Sequence, residues 1–270
     1  MTEPASTSPP VPDATLAPSP TPTGARRNRS SPAVETTDAS TLNRTHDMAG
    51  LRSRGGIVVR SIEDRRRDLV AARVRRALAS APAASRGGVV ADVGCEDGWI
   101  ARAYAEHALE TILVDVDPCV LARAFAIPRS RTVVADAASI GAVAPASVDV
   151  VVLSAILEHV PDPRAVLAAW APALRAGGRF VVYVPADRPI LALKRVLRLM
   201  RLRFLVRGIS LEPAPGHVRT FSRRSLVRLL KPFGVLEEIE FDPAVLGYAA
   251  TVRLDGQAAS AVALPPLRGR

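Results

Sequence analysis

Short apolar, β-branched runs recur at 89–93, 111–115, 132–135, 148–153 and 178–184, separated by stretches whose polarity suits helices and turns. The runs are predominantly apolar rather than alternating, as strands covered on both faces are. Helical spacing fills the intervals. In 61–80, Val70, Val74 and Leu78 share one face behind Ser61 as a cap, with Glu63 and Asp64 in the first turn. In 162–177, Asp162 caps, Pro163 takes the first helical position and Gly177 stands near the end. Val166, Leu167, Trp170 and Leu174 form the buried stripe of that helix, which the interior Pro172 is expected to kink. An Ala-rich, helix-favouring segment follows Gly98, and a further helix at 223–233 is capped by Ser222. Strands at 235–241 and 247–253 close the series, and no internal repeat interrupts it. Strand alternating with helix predicts an α/β fold, a mostly parallel sheet with helices on both faces.

Composition sets the borders of that domain. Residues 1–32 hold eight prolines among Ser, Thr and Ala, and no aromatic residue precedes Trp99. Such a segment buries too little apolar surface to offset its ordering entropy, so 1–50 is expected to be a disordered tail, 51–255 the folded domain and 256–270 a flexible tail. No run is long and apolar enough for a membrane span. Two cysteines, Cys95 and Cys119, make no disulfide framework and no metal-ligand spacing, which points to a reduced, cytoplasmic protein. The net charge of +10 raises the prospect of an anionic partner, nucleic acid or an acidic membrane surface, without choosing between them.

The candidate chemistry sits at strand ends. In an open α/β sheet, ligands bind outside the carboxyl ends of the strands where strand order reverses. Here those ends carry Asp92-Val93-Gly94-Cys95-Glu96-Asp97-Gly98, then Asp115, Asp136 and Ser154 to His159. Glycines in the first loop allow positive φ and close approach of backbone, and an acid closing the second strand can accept hydrogen bonds from both ribose hydroxyls. The G-x-G-x-x-G of a dinucleotide site is absent. Asp117 before Pro118 reads as a helix cap, Cys95 as a small packing residue, and Glu158 as a local cap or pairing partner.

The set "VVADVGCEDG", "ILVDVDP", "VVADAAS" and "SVDVVVLSAILEHVPDPRAVLAAWAPALRAGGRFVVYVP" resembles the class I S-adenosylmethionine-dependent methyltransferases, over about 60–254, and especially the branch with an LEHVPDP signature that includes ubiquinone-type O-methyltransferases. The resemblance implies a Rossmann-like seven-stranded sheet whose last strand, at 247–254, is antiparallel. It also implies S-adenosylmethionine as cofactor. Asp92, Gly94, Cys95, Glu96 and Gly98 would surround its methionine part, Asp115 its ribose, Val116 its adenine face, Asp136 and Ala137 its adenine edge, and Ser154 would line the cleft near the sulfonium. His159 and His217 are the candidate proton acceptors.

Two departures stand out. Glu96 occupies the middle glycine of the D-x-G-x-G-x-G pattern, where it would face the cofactor's ammonium or clash with it. Metal-assisted relatives carry a carboxylate three residues before the Glu-His pair, and here that position is Ala155; Glu158 and His159 alone suit magnesium poorly, so no metal is expected. The segment 186–222 is expected to form a lid that selects the substrate. Within it, 188–207 holds seven basic residues and no acidic one, with Lys194, Arg195, Arg198 and Arg201 on one helical face. That pattern suits peripheral contact with an anionic membrane or a lipid-like substrate, and equally a helix packed on the domain. Methylation of a hydroxyl on a small-molecule or lipid-linked acceptor is the expected function. The alternatives are a nucleic-acid methyltransferase, disfavoured by the "SAILEH" strand end and the scarcity of aromatics, and a non-catalytic protein that kept the fold.

Overall fold

Among the described residues, seven strands make one sheet: β1 (Val89–Val93), β2 (Glu110–Asp115), β3 (Ser130–Val134), β4 (Val148–Ser154), β5 (Leu174–Pro185), β6 (Gly234–Asp242) and β7 (Gly247–Leu254). Their order is β3-β2-β1-β4-β5-β7-β6. β1 to β5 pair in parallel, and β7 runs antiparallel to both β5 and β6. The α/β arrangement is the one expected from the alternating runs, and its seven-stranded, Rossmann-like form is the one that the family resemblance implied. The computed structural model describes residues 57–81, 87–124, 126–186 and 216–255. The two tails and the basic segment 188–207 lie outside the described residues.

Strand placement follows burial. Every residue of β1 and β4 is buried, as their predominantly apolar sequence requires, Asp92 and Asp149 included, whereas the edge strand β3 is mostly exposed. β3 also begins at Ser130, ahead of the apolar run that marked it, because edge pairing with β2 needs backbone alone. The switch in strand order falls between β1 and β4, so the crevice opens at their carboxyl ends.

Two apolar layers cover the sheet. On one face lies α1 (Ile57–Ala79), whose Val70, Ala71, Val74, Ala77 and Leu78 meet Val90, Leu113, Val150, Val152 and Val181. α1 starts ahead of Ser61, so Ser61 lies within the helix and is not its cap. Arg73, on the same helix and 2% exposed, crosses to Glu238 and Glu240 of β6 and ties the helix to the far edge of the sheet. On the opposite face, Val166, Leu167 and Trp170 of α3 (Pro163–Trp170) and Leu226, Leu229 and Leu230 of α4 (Arg223–Leu230) pack against Ala91, Val93, Leu153 and Val182.

Two further local expectations change. Pro172 ends α3 instead of kinking it: a 3₁₀ turn spans Ala171–Ala173 and Leu174 is already the first residue of β5. Proline lacks the N–H and crowds the preceding turn, so the chain leaves the helix there. The Ala-rich segment after Gly98 forms two 3₁₀ turns, Ala101–Ala103 and Ala105–His107, not one α-helix. Tyr104 breaks them at φ −132°, fully buried, with its hydroxyl turned to Asp92. The caps read from sequence hold elsewhere. Asp162 accepts from Arg164 N, Asp117 accepts from Cys119 N at the start of α2 (Pro118–Leu121), and Ser222 forms a capping box with Ser225.

Candidate active site

The loop after β1 is held by backbone. Gly94 and Cys95 donate to the Val114 carbonyl at 2.8 and 3.1 Å, and Gly98 donates to that of Cys95 at 2.9 Å. Gly94 and Gly98 adopt φ of 70° and 71°, where a side chain is strained. A Cβ on them would also strike Ile156 at 2.8 Å and Ile127 at 2.3 Å. These glycines are therefore required by positive φ and by neighbouring side chains of the chain itself. Glu96 has φ 50°, so it holds the left-handed conformation that explains a glycine preference at this position.

Asp115 closes β2 and is shared between two loops. Its Oδ2 accepts from Glu96 N at 3.0 Å and its Oδ1 from Asp117 N at 3.1 Å. Burial raises its pKa, and the backbone donors of Asp117, Glu96 and Val116 oppose that rise. Val116 beside it is an exposed apolar surface. Asp136 is exposed past β3 and turns its loop by accepting from Ala138 N at 2.8 Å. The carbonyl of Ala137 accepts from the indole of the buried Trp170 at 2.9 Å, which anchors this loop to α3.

Asp92 lies deeper than the loop it precedes. It is 3% exposed and accepts from Tyr104 Oη at 2.6 Å. Burial pushes its pKa up to about 6, against the Tyr104 hydrogen bond; the charge of Asp115 adds to the rise and that of Arg66 opposes it. Cys95 is buried too, and burial raises its thiol pKa, consistent with a packing role.

The end of β4 carries the other candidates. Ser154 is buried, and nothing among the described residues hydrogen-bonds its Oγ. Ala155 takes φ 56° while donating to the Tyr183 carbonyl at 2.9 Å, which turns the chain out of the strand. A tight turn follows, with His159 N on the Ile156 carbonyl at 3.0 Å. Here two distant segments meet. Val218 N donates to the Glu158 carbonyl at 3.0 Å, and His159 Nδ1 lies 3.1 Å from the Gly216 carbonyl. The rings of His159 and His217 meet edge to face at 4.8 Å, and His159 Nε2 lies 3.9 Å from Glu158 Oε1. The structure thus joins the two histidines proposed as proton acceptors and sets the fully buried Glu158 beside them.

Residues on α1 complete the polar setting and were missed in the sequence. Glu63 and Arg66, both buried, pair at 2.6 Å, and the Arg66 guanidinium lies 5.9 Å over the Tyr183 ring. Their spacing of three on one helix was the available signal, masked by reading Glu63 as a first-turn acid.

Residues 62–235 match the family described as methyltransferase domain. Ubiquinone biosynthesis O-methyltransferase of Idiomarina loihiensis is 39% identical over 95 residues, 33% of this chain and 39% of that protein. The Xanthomonas campestris protein of the same name is 36% identical over 118 residues, 42% of this chain and 46% of that one. The chain thus spans less than half the length of these curated relatives. Among solved structures, the 1,6-didemethyltoxoflavin-N1-methyltransferase of Burkholderia thailandensis, with 1,6-didemethyltoxoflavin and S-adenosylhomocysteine bound, superposes with TM-score 0.53 at 20% identity, covering 80% of this chain and 89% of that one. A Haloferax volcanii putative methyltransferase, in complex with the activator Trm112, gives 0.52 at 15%, covering 72% and 96%. At such identities the structural likeness concerns the fold.

Proposed function

The chain belongs to the methyltransferase-domain family, with the class I S-adenosylmethionine-dependent fold, and on that footing we propose that it methylates a hydroxyl on a small-molecule or lipid-linked acceptor. The observation that carries this reading is the convergence of one loop, one carboxylate and one histidine cluster on the carboxyl ends of β1, β2 and β4.

The residues present suit the cofactor. Asp115 accepts one backbone N–H at each oxygen, and a carboxylate oxygen keeps capacity for a second donor, so ribose hydroxyls can be added without displacing either. Exposed Val116 offers apolar cover for the adenine, the Trp170-anchored Ala137 and Asp136 its edge, and Ser154 Oγ an uncommitted hydroxyl near the reacting end. When bound, S-adenosylmethionine supplies a methyl group on a sulfonium, an electrophile that needs no further activation. Displacement at that methyl is in line, so what the protein contributes is alignment of the acceptor and removal of its proton. Proton removal falls to the cluster at the end of β4. The Gly216 carbonyl can only accept, so a neutral His159 carries its proton on Nδ1, which makes Nε2 its basic nitrogen.

The sequence of 188–207, basic on one face, supports a lipid-linked acceptor presented at an anionic surface. Two free cysteines, one buried and one exposed, suit a cytoplasmic setting. No helix among the described residues is long and apolar enough to cross a membrane.

The test is release of S-adenosylhomocysteine in the presence of phenolic and polyprenyl-linked hydroxyl acceptors, with RNA as a control arm. Turnover with a hydroxyl acceptor is expected, and His159→Ala should lower it by about 10² to 10⁴ while leaving cofactor affinity within about threefold. Turnover on RNA alone would replace the acceptor class, and normal turnover by His159→Ala would remove the histidine from proton transfer.

A further inference from the structure

Between Ala101 and Ala108 the buried residues are Ala101, Tyr104, Ala105 and Ala108, so Tyr104 is the one large side chain that this stretch sends inward. A hydroxyl carried into an apolar layer costs stability unless it finds a partner. Its partner is the carboxylate of Asp92, 3% exposed, at 2.6 Å, a length typical of a hydroxyl donating to a charged acceptor. A phenylalanine ring would fill almost the same volume, so packing alone does not account for the hydroxyl.

Asp92 stands where a ligand is expected. It lies two residues before Gly94, at the carboxyl end of β1, and β1 and β4 flank the switch in strand order. The groups around it come from every neighbouring element. Tyr104 reaches it from the turns after the loop, the charge of Arg66 acts from α1, where Arg66 is paired with Glu63, and the charge of Asp115 acts from β2. The Cys95 thiol feels its charge from the loop, and β4 sets apolar Val152 alongside. Burial, with the charge of Asp115, drives its carboxyl toward the neutral form and a pKa of about 6, while the Tyr104 bond and Arg66 hold it toward the charged form. The carboxyl is thus mostly charged at neutral pH, by a narrow margin.

We propose that Tyr104 is a positioning residue of the cofactor site, whose hydroxyl holds Asp92 charged and so gives the site a preference for S-adenosylmethionine over S-adenosylhomocysteine. The proposal rests on the methyltransferase reading, which supplies the two ligands compared. Tyr104 acts through Asp92 and not on the cofactor. The sulfonium gives S-adenosylmethionine one positive charge that the product lacks, and a buried carboxylate attracts that charge more strongly than it would in bulk water. Methyl transfer removes the charge from the sulfur, so the attraction that favours the cofactor is lost on the product. Exchange of product for fresh cofactor is favoured in consequence.

Titration calorimetry of the full chain with each ligand, from pH 5 to 7.5, reads this directly. In the parent, the ratio of the two dissociation constants should shift toward S-adenosylmethionine by at least about threefold as pH rises, with a midpoint near 6. Tyr104→Phe removes a bond to the charged form, so its midpoint should move up by roughly one to two pH units, leaving the ratio at pH 7 near its acid value. Asp92→Asn should give a low ratio at every pH. A Tyr104 that only supports the fold would, when changed to Phe, weaken both ligands alike and leave the midpoint near 6, which would overturn the proposal. A second measurement needs the parent and not the Tyr104 variant. At pH 6, binding of S-adenosylmethionine should release up to about half a proton from Asp92, read as the dependence of the heat on the ionisation enthalpy of the buffer. S-adenosylhomocysteine should release much less, and Asp92→Asn should release none with either ligand. Equal release with both ligands, or none with either, overturns the proposal while leaving cofactor binding intact. Failure of the parent to bind either ligand would overturn the methyltransferase reading and this proposal with it.

Discussion

The two halves of the cleft are built by different means. At the ends of β1 and β2, the loop from Gly94 to Gly98 is fixed by backbone hydrogen bonds and by Asp115, all within a short stretch of chain. At the end of β4, Glu158 and His159 depend on Gly216 to Val218 for their setting. On the proposed reading, cofactor recognition is written locally, and acceptor chemistry is written across the fold. Substitutions in the first half should act on cofactor binding and stability, and those in the second on turnover.

The largest expected effect breaks the anchorage of the first half. Trp170 is fully buried and holds the Ala137 carbonyl, so Trp170→Ala should cost about 3–5 kcal/mol in urea unfolding. Trp170→Phe keeps most of the volume and loses the indole donor. It should cost about 0.5–1.5 kcal/mol for that bond and weaken cofactor binding more than acceptor binding. Equal weakening of both would mean the halves are not separable.

Next is Asp115. Its loss should weaken S-adenosylmethionine by roughly 1–3 kcal/mol through missing ribose hydrogen bonds, and Asp115→Asn, which keeps acceptor capacity on one oxygen, should lose less. A chain with Asp115→Ala that bound the cofactor as tightly as the parent would take the ribose role away from β2.

Asp92 gives a pH signature confined to the first half. Its pKa is raised to about 6 in the folded chain from about 3.9 when unfolded. Between those values the native state binds more protons than the unfolded state, so stability falls as pH rises from about 4 to 6 and then levels off for this group. Asp92→Asn should flatten that part of the stability–pH curve. An unchanged slope would show that the buried carboxyl is not its source.

The smallest effect concerns Glu96. Glycine is at ease at φ 50°, so Glu96→Gly should stabilise the chain by up to about 1 kcal/mol, a rise of about 2–4 °C in Tm, and keep or improve cofactor affinity. A large loss of affinity would identify the Glu96 carboxylate as a ligand.

The same contrast explains what the sequence made legible. β1, β2 and β4 were readable because burial on both faces forces a predominantly apolar run, and the caps Asp117, Asp162 and Ser222 because each acts within three residues. The Gly94 to Asp115 half was readable for a related reason, since its motif is local. Pro172 was placed correctly as a disturbance and wrongly as a kink, since sequence does not say that β5 starts at Leu174. Tyr104 reaching Asp92, Arg66 over Tyr183, and His217 beside His159 are tertiary juxtapositions, and helical or strand periodicity holds no term for them.

The cofactor half is the part on which everything else stands, and calorimetric titration of the purified chain with S-adenosylmethionine tests it most directly. Binding with one site per chain, weakened by about 1–3 kcal/mol in Asp115→Ala and within about threefold of the parent in His159→Ala, is the expected result. No detectable binding at millimolar cofactor would contradict it.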